Sequence, residues 1–498
     1  MRRARHGRIG DVAEVVILGG GPGGYEAALV AAQSGAVVTI IEPAGLGGAA
    51  VLTDCVPSKT LIATAESAHL AAASGLLGVR VGGMPIGTRD VGVDLAAVNR
   101  RIRALAAAQS ADIAQRCADE GIRWRRGWGR LVGQDGGRWQ VAIDPAGAAA
   151  DPGSPTTGAQ AGARESSEVV LADTVLIATG ARPRSLPGSP VDGERILTWQ
   201  QVYHLEQLPE RLIVIGSGVT GAEFAGAYLA LGSEVTLVSS RSQVLPGEDP
   251  AAAAVIDEVF RRRGMTVCAS ARAVTVRPAG TGVAVTLADG RVLTGSHALL
   301  AIGSVPTTDC IGADVVGLRR GSGGQLSVDR VSRTNAPGVY AAGDCTGVLP
   351  LASVAAMQGR IAMWHALGDA VRPLDLMSVA SAVFTEPEIA SVGVGHVHLD
   401  SPAGAVDRGD IDVHRQPLGT NARAKMLGID DGFVTLYVRR GSGRVLGGVV
   451  VAPRASELIY PVAQAVECGL TVDDLVHTFT VYPSLSGSIP EAARRLRR

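Results

Sequence analysis

An apolar run, a glycine-rich turn, a helix-period stretch and a second apolar run follow one another twice along this chain. Short apolar runs of this kind are typical of buried strands, and apolar residues at helical spacing predict the helix between them. The expected strand, helix and strand are Val15–Leu18, Tyr25–Ser34 and Val37–Ile41 in the first copy, and Leu212–Ile215, Ala222–Leu231 and Glu234–Val238 in the second. The pattern therefore predicts an internal repeat of one α/β domain.

Both turns carry the spacing G-x-G-x-x-G. The candidate residues are Gly19, Gly21 and Gly24 in the first copy, and Gly216, Gly218 and Gly221 in the second. Glycines at these places let the backbone approach a pyrophosphate, which the N-terminus of the following helix faces. One such turn alone is a weak signal, but with its flanking strands each copy predicts a dinucleotide site.

The residue that ends the second strand differs between the copies. Glu42 lies 23 residues after Gly19, and Ser239 lies 23 residues after Gly216. A carboxylate at this place binds a free ribose hydroxyl and repels a 2′-phosphate, whereas Ser239 and the nearby Arg241 can bind one. The second site should therefore accept NADPH as well as NADH. The alternative is that Arg241 only faces solvent.

Outside the repeats, periodic stretches predict further elements around two irregular segments. The expected helices are Lys59–Gly75, Asp94–Glu120, Val354–Leu367, Ser456–Cys468 and Val472–Phe479, and the expected strands are Val169–Ile177, Ala298–Ile302, Phe433–Val438 and Val445–Val451. The alanine- and glycine-rich stretch Ala146–Ser167 predicts a mobile hairpin insertion without chemistry. Residues 1–12 are expected to be a disordered extension.

Composition limits the class of protein. The chain has 498 residues, of which 46% are hydrophobic and 19% charged, which suits a soluble globular protein of about three domains. A formal net charge of −1 gives no sign of a nucleic-acid partner. Six thinly spread cysteines fit a reducing cytoplasm rather than a disulfide framework. No apolar run is long enough to cross a bilayer, and we expect no metal site.

Gly47–Lys59, with the sequence GGAAVLTDCVPSK, resembles the redox motif of the flavoprotein disulfide reductases, which includes dihydrolipoamide dehydrogenase. That motif is GGTCxxxxCxPSK, so Cys55 matches its second cysteine and Ala50 stands where the first should be. Further motifs follow in the family's order, as Ala178-Thr179-Gly180, Gly338–Asp344 and Val383–Gly393. The resemblance covers nearly the whole chain.

This resemblance implies an α/β fold with two Rossmann-like dinucleotide-binding domains and a C-terminal α+β dimerisation domain in a homodimer. The implied division is 13–190 and 308–374 for FAD, 191–307 for NAD(P), and 375–498 for dimerisation. By resemblance, Glu42 holds the FAD ribose, Gly129 lies along its adenine, Asp344 holds its ribitol chain and Ala352 touches its ring. The other cofactor-binding candidates by position are Lys59, Thr179 and Gly303.

The main positions at which this chain departs from the family belong to the thiol–disulfide half of the family's active site. Ala50 replaces the first cysteine, Tyr482 the general acid–base histidine, and Gly487 the glutamate that orients it. Disulfide exchange needs two thiols, so Cys55 alone cannot relay an electron pair. The lysine and glutamate that the family pairs beside flavin N5 remain, as Lys59 and Glu223. The resemblance therefore implies an FAD-dependent NAD(P)H:quinone oxidoreductase, with Lys59, Glu223, Cys55 and Tyr482 as catalytic candidates.

Three alternatives stay open at this point: a soluble pyridine nucleotide transhydrogenase, a nucleotide-binding protein without turnover, and, with least support, a true lipoamide dehydrogenase. Cys55 is either a small residue packed beside the flavin or a peroxide sensor that forms a sulfenate. The basic tail 494–498 is better interpreted as a solvated helix end than as a weak peripheral contact with anionic lipid.

Overall fold

The computed structural model describes residues 12–87, 90–146, 168–399 and 407–497. Nearly all of the expected N-terminal extension and of the expected hairpin insertion lies outside these ranges. The chain divides into two compact units. The first unit is built from the segments that end at Pro57, Arg101–Pro183 and Ser304–Leu374, and the second from Ser58–Arg100, Arg184–Gly303 and the segment from Asp375 onward.

The first unit contains the first repeat. Its sheet has five parallel strands, in the order Val339–Ala341, Thr174–Ile177, Glu14–Leu18, Val37–Ile41 and Arg123–Arg125. Val15 and Ile17 pair with Val38 and Ile40, and all four are buried because helices cover a parallel sheet. Those helices include Pro22–Gln33 and Ala352–Ala366, which pack against each other.

The remaining elements of this unit are an antiparallel meander, a strand pair and short helices. They are Trp128–Asp135, Arg138–Asp144 and Glu168–Ala172; Ala181–Pro183 with Ser304–Pro306; and Gly48–Leu52, Asp344–Thr346 and parts of Cys55–Ala73 and Leu95–Asp119. The single strand expected at Val169–Ile177 is wrong, because Asp173 separates two strands in different sheets. Its carboxylate accepts a hydrogen bond from the Glu14 amide at 2.8 Å, which fixes the chain where it changes sheet.

The second unit contains the second repeat, with the same layout. Its parallel strands run in the order Ile196–Thr198, His297–Leu300, Arg211–Ile215, Glu234–Val238 and Thr266–Cys268. The helices Val219–Leu231 and Pro250–Arg262 follow the strands of the repeat, and Asp249 caps the second of them. A meander of Ala273–Ala279, Gly282–Leu287 and Val292–Gly295 completes this part. The predicted internal repeat is confirmed.

The C-terminal part of the second unit is α+β. Its antiparallel sheet has the order Ala380–Val383, Glu388–Gly393, Val445–Ala452, Phe433–Arg439 and Ile411–Pro417. The helix expected at Ser456–Cys468 is two helices, because Pro461 has no N–H to donate one turn back.

Short elements complete the second unit. They are Ser74–Leu77, Arg80–Val81, Met84–Pro85, Val202–His204, Leu376–Ser378, His396–Leu399, Arg408–Asp410, Leu418–Thr420, Ala422–Met426, Ala455–Leu458, Tyr460–Cys468, Val472–His477 and Ser488–Leu496, besides the rest of Cys55–Ala73 and Leu95–Asp119. No helix within the described ranges has the length and apolarity needed to cross a membrane.

Candidate active site and coenzyme sites

The first glycine turn leaves an open face at a helix N-terminus. Gly19 has φ +102°, and a Cβ on Gly24 would lie 2.0 Å from the Gly19 carbonyl oxygen, so the backbone itself requires both glycines. Gly21 is different, since a Cβ there would meet no atom within 4 Å. It is the N-cap residue of the helix that starts at Pro22. The empty space beside Gly21 therefore suits the close approach of a pyrophosphate.

Glu42 is held against this turn. Its side chain accepts hydrogen bonds from the Gly20 amide at 2.8 Å and from the Ala44 amide at 2.9 Å. Burial raises the pKa of the carboxyl, and the backbone donors partly oppose that effect. The indole of Trp124 donates to the backbone oxygen of Glu42 at 3.0 Å. The carboxylate is thus fixed at the end of its strand, where a ribose hydroxyl can meet it.

The other first-unit candidates differ in their surroundings. A Cβ on Gly129 would lie 2.4 Å from Leu18 Cδ2, so this glycine allows close packing. The Thr179 hydroxyl donates to the Thr307 carbonyl at 2.7 Å. Ala352 is half-buried at the start of its helix. Burial raises the pKa of the half-buried Asp344 carboxyl, which receives no hydrogen bond from the described part of the chain. A carboxylate of this kind suits a polyol ligand.

The second glycine turn repeats this geometry. Gly216 has φ +109°, and a Cβ on Gly221 would lie 1.8 Å from the Gly216 carbonyl oxygen. A Cβ on Gly218 would meet nothing within 4 Å. Gly303, which follows the neighbouring strand, has φ +91° and also borders open space. The second turn can therefore receive a pyrophosphate in the same way as the first.

The residue at the strand end of the second repeat, Ser239, is uncharged and buried. Ser239 is completely buried, and its Oγ lies 2.7 Å from Ser217 Oγ and 3.1 Å from the Arg241 amide. The Arg241 side chain is exposed. The structure therefore places the Ser239 hydroxyl inside a loop, while Arg241 faces outward. Sequence reasoning missed Ser217, although the repeat itself pairs Ser217 with Gly20.

Lys59 and Glu223 come together in the second unit. Lys59 Nζ lies 2.9 Å from Glu223 Oε2, and the Phe384 amide donates to Glu223 Oε1 at 2.9 Å. The ammonium also lies 4.9 Å from the centre of the Phe384 ring. Only 3% of the glutamate side chain is exposed, against 31% for the lysine. The buried carboxylate thus holds the lysine ammonium in one place, on a side chain that is partly exposed. The role of Phe384 was not foreseen, because a backbone donor has no signature in a sequence.

Cys55 and Tyr482 lie in different settings. Cys55 is a half-buried thiol at the start of the helix Cys55–Ala73, four residues before Lys59. Ala50 lies in the preceding short helix Gly48–Leu52 and brings no sulfur. Tyr482 is 85% exposed on the segment before the last helix. Its hydroxyl is therefore available to another molecule.

Comparisons with known proteins assign the family. A family model described as pyridine nucleotide-disulphide oxidoreductase matches residues 13–359, and its dimerisation domain matches residues 379–493. The chain therefore belongs to the pyridine nucleotide-disulphide oxidoreductase family. The predicted class, with two dinucleotide-binding domains and a C-terminal dimerisation domain, is confirmed.

Individual relatives span nearly the whole chain. An NAD(P)H dehydrogenase (quinone) from Mycobacterium tuberculosis strain H37Rv is 52% identical, covering 97% of this chain and 94% of the relative. A dihydrolipoyl dehydrogenase from Chlorobaculum tepidum is 32% identical, covering 96% of each protein. The crystal structure of LpdA from M. tuberculosis matches with a TM-score of 0.87 and 51% identity, covering 98% of this chain and 100% of that one.

Proposed function

We propose that this protein is an FAD-dependent NAD(P)H:quinone oxidoreductase that works without a redox disulfide. The observation that carries the proposal is the contrast between Ala50, which removes the exchange thiol, and the intact Lys59–Glu223 pair. The 52% identical relative with the name NAD(P)H dehydrogenase (quinone) supports the same activity. Dihydrolipoyl dehydrogenases are more distant, at 32% identity for the one from C. tepidum.

The first unit fits FAD. The open space beside Gly21, the fixed carboxylate of Glu42 and the half-buried carboxyl of Asp344 suit a pyrophosphate, a ribose and a ribitol chain. We assign Gly19, Gly24, Gly129, Thr179 and Ala352 to the same site by position. When bound, FAD supplies a ring that accepts hydride from NAD(P)H and gives electrons to an acceptor. The turn at Gly216, Gly218 and Gly221, together with Gly303, would hold the pyridine nucleotide.

Lys59 would place positive charge where the reduced flavin gains electron density. A compact ammonium is a more localised charge than a guanidinium, and Glu223 keeps it in one position. The Phe384 amide fixes the second oxygen of Glu223, so the carboxylate cannot rotate away from the lysine. These contacts support the assignment of Lys59 as catalytic and of Glu223 as its partner.

The acceptor side would use hydrogen bonding instead of thiol exchange. A tyrosine hydroxyl, with an ordinary pKa of ~10, is a weak base and a good donor, so Tyr482 can donate to a quinone oxygen. Cys55 would remain a half-buried thiol that a peroxide could oxidise to a sulfenate. Neither residue can perform the acid–base and exchange steps of lipoamide reduction.

We also propose a homodimer. The matched dimerisation domain supports it, and so does an exposed apolar segment in which Phe479 is 103% and Val481 78% exposed. Apolar surface of this kind is normally covered by a partner. Light scattering should show a dimer that Phe479→Glu weakens, with Val413→Glu on an exposed strand position as the control. An unchanged dimer in the Phe479 variant would remove this segment from the interface.

The domain division at 13–190 with 308–374, 191–307 and 375–498 stays part of the proposal, as does a cytoplasmic location, which the low cysteine content supports.

The basic tail is better explained as a solvated helix end than as a lipid contact. Arg494 pairs with Glu491, and Arg497 pairs with Asp473 at 2.7 Å, so part of its charge is already neutralised.

Electron uptake and acceptor choice test the activity. We expect one electron pair per flavin in a reductive titration, and turnover of NADPH or NADH with a quinone but not with lipoamide. Uptake of a second pair would show a disulfide and contradict the proposal. Preferred reduction of thio-NAD over quinone would instead favour a transhydrogenase, and no turnover with any acceptor would favour a binding protein.

Engineered variants sharpen this test. Ala50→Cys alone should remain inactive with lipoamide, because positions 482 and 487 still lack an acid–base pair worth ~10²–10⁴-fold in rate. The triple variant Ala50→Cys, Tyr482→His, Gly487→Glu should gain measurable lipoamide turnover. Strong activity from the single variant would mean that the C-terminal substitutions matter little.

A further inference from the structure

We propose that Ser217 and Ser239 form a coupled pair that sets coenzyme choice: Ser217 excludes an acid from position 239, and Ser239 positions Arg241 for a 2′-phosphate. The inference rests on the proposed use of NAD(P)H and adds the residues that decide between the two coenzymes. Ser217 is a middle residue of the second glycine turn, where the first turn has Gly20.

The hydroxyl of Ser239 has no capacity left for a ligand. A serine hydroxyl offers one donor and two acceptor positions. Ser239 Oγ accepts from Ser217 Oγ at 2.7 Å and from the Arg241 amide at 3.1 Å. Its single hydrogen points to the carbonyl oxygen of Arg241 at 3.0 Å or of Gln243 at 3.3 Å. Because Ser239 is also fully buried, it acts through the loop and not by touching the phosphate.

The first repeat shows what an acid at this place requires. Glu42 Oε2 reaches the Gly20 amide at 2.8 Å. A Cβ on Gly20 would lie 3.0 Å from Glu42 Cγ and 2.7 Å from Leu46 Cδ2. A glutamate at the strand end and a side chain at the turn therefore compete for one space. In the second repeat Ser217 fills that space and is buried, so a carboxylate at position 239 has no room to reach the turn.

The same pair fixes the backbone that carries Arg241. The Arg241 amide donates to Ser239, and its carbonyl accepts from the Ser270 amide at 2.8 Å. Leu245, with φ +53°, donates its amide to the Ser217 carbonyl at 2.8 Å. The loop 239–245 is thus tied to Ser217 by both the side chain and the backbone. The exposed side chain of Arg241 extends from this fixed backbone, so its guanidinium can pair with a phosphate.

A double-mutant cycle on the flavin-loaded enzyme tests the coupling. Calorimetry would measure the binding of adenosine 2′,5′-bisphosphate and of 5′-AMP to the wild type, Ser217→Gly, Ser239→Glu and the double variant. We expect the wild type to prefer the bisphosphate. Ser239→Glu should weaken both ligands by roughly tenfold or more, because its carboxylate displaces the loop. The double variant should recover 5′-AMP binding to within about threefold and remain at least about tenfold weaker for the bisphosphate.

Coenzyme kinetics give a readout that a general structural defect would not. In the double variant the KM for NADPH should rise with little change in kcat for NADH, since the 2′-phosphate lies outside the reacting atoms. Flavin absorbance and thermal melting verify that each variant is folded. Ser239→Ala, which adds no charge, should weaken the bisphosphate about threefold to tenfold and leave 5′-AMP unchanged.

Two outcomes would overturn the inference. In one, Ser239→Glu alone rejects the bisphosphate with normal 5′-AMP binding, and Ser217→Gly adds nothing, which makes the positions independent. In the other, the wild type binds neither fragment. Because these measurements use no quinone, they stand even if quinone reduction fails, and a failed cycle would leave quinone reduction untouched.

Discussion

The two dinucleotide repeats share one backbone conformation at the glycine turn, but they differ in the residues that are available for ligand recognition. A Cβ on Gly24 and a Cβ on Gly221 would both lie within 2.0 Å of the first carbonyl of their turn, whereas Gly21 and Gly218 both border open space. The shared glycines thus fix one shape of turn in each repeat. The shape of the turn therefore depends on glycines that the copies share, and we attribute the difference in ligand to two of the positions at which they differ.

Among the positions that differ between the repeats, one at the turn and one at the strand end form a pair in each repeat. The first repeat joins Gly20 to Glu42 through a backbone amide, and the second joins Ser217 to Ser239 through two hydroxyls. The first places a negative charge at the strand end. The second places none there and presents Arg241 two residues later. In our proposal the carboxylate of the first repeat binds a free ribose, and Arg241, two residues beyond the matching position, binds a phosphorylated one.

The largest expected effect comes from breaking the shared turn. Gly24→Ala should destabilise the first unit by about 3 kcal/mol or more and abolish flavin binding, because its Cβ would overlap the Gly19 carbonyl oxygen at 2.0 Å. Gly221→Ala should abolish pyridine nucleotide binding while flavin is retained, because Gly221 lies in the other unit. Flavin absorbance and thermal melting separate the two. A flavin-loaded Gly24→Ala protein would contradict this account of the turn.

A milder change should separate ligand binding from folding. Gly21→Ala and Gly218→Ala meet no protein atom within 4 Å, and both residues have φ near −70°, which alanine adopts freely. We expect normal melting for both, with the affinity of Gly21→Ala for FAD and of Gly218→Ala for NADPH reduced by about a hundredfold, or ~2.7 kcal/mol. Titration of the flavin-free and flavin-loaded proteins measures these losses. Reduced melting in either variant would mean that the space is not reserved for a ligand.

The sequence predicted the fold well because repeat periodicity and glycine spacing are local signals. It gave both strands of each repeat to within one residue, since continuous apolar runs mark buried parallel strands. It was wrong where a single residue changes the path of the chain. Asp173 turns one predicted strand into two, and Pro461 divides one predicted helix. Such breaks depend on tertiary hydrogen bonds and on single missing donors, which periodicity does not report.

The candidate site was foreseen less completely. Residue types and family order predicted Lys59 and Glu223 as partners, and their side chains lie 2.9 Å apart. The second anchor of Glu223 is the Phe384 amide, 161 residues away, and every residue except proline has such a group. The Ser217–Ser239 bond is not predicted for another reason. Alignment of the repeats matches Ser239 with Glu42 by position, and position alone does not report which residue faces each of them across the turn.

A smaller effect should come from removal of the exposed guanidinium of Arg241 in the second repeat. Arg241→Ala should weaken NADPH by about tenfold, or ~1.4 kcal/mol, and leave NADH nearly unchanged, because only NADPH carries a 2′-phosphate. The loss should shrink at high salt. Arg277→Ala, an exposed arginine on the meander of the same unit, is the matched control. Equal losses for both coenzymes in Arg241→Ala would show that the guanidinium does not contact the phosphate.

The smallest expected effect concerns the pH dependence of the first repeat, which the second cannot share because Ser239 does not titrate. Burial raises the pKa of Glu42 above its unfolded value, so between the two pKa values the folded flavin-free protein binds more protons at this residue than the unfolded chain does. Stability from this residue is therefore complete below the unfolded pKa and is lost as pH rises through the folded pKa. Glu42→Gln should lose one acceptor at every pH and no longer show this slope. Thermal melting of both proteins from pH ~4 to ~7 measures the difference in the pH dependence of their stability. Other buried acids, such as Asp344, contribute equally to both proteins, so their contribution cancels in this difference. Parallel curves would mean that the backbone donors at Gly20 and Ala44 fully offset the cost of burying the carboxylate.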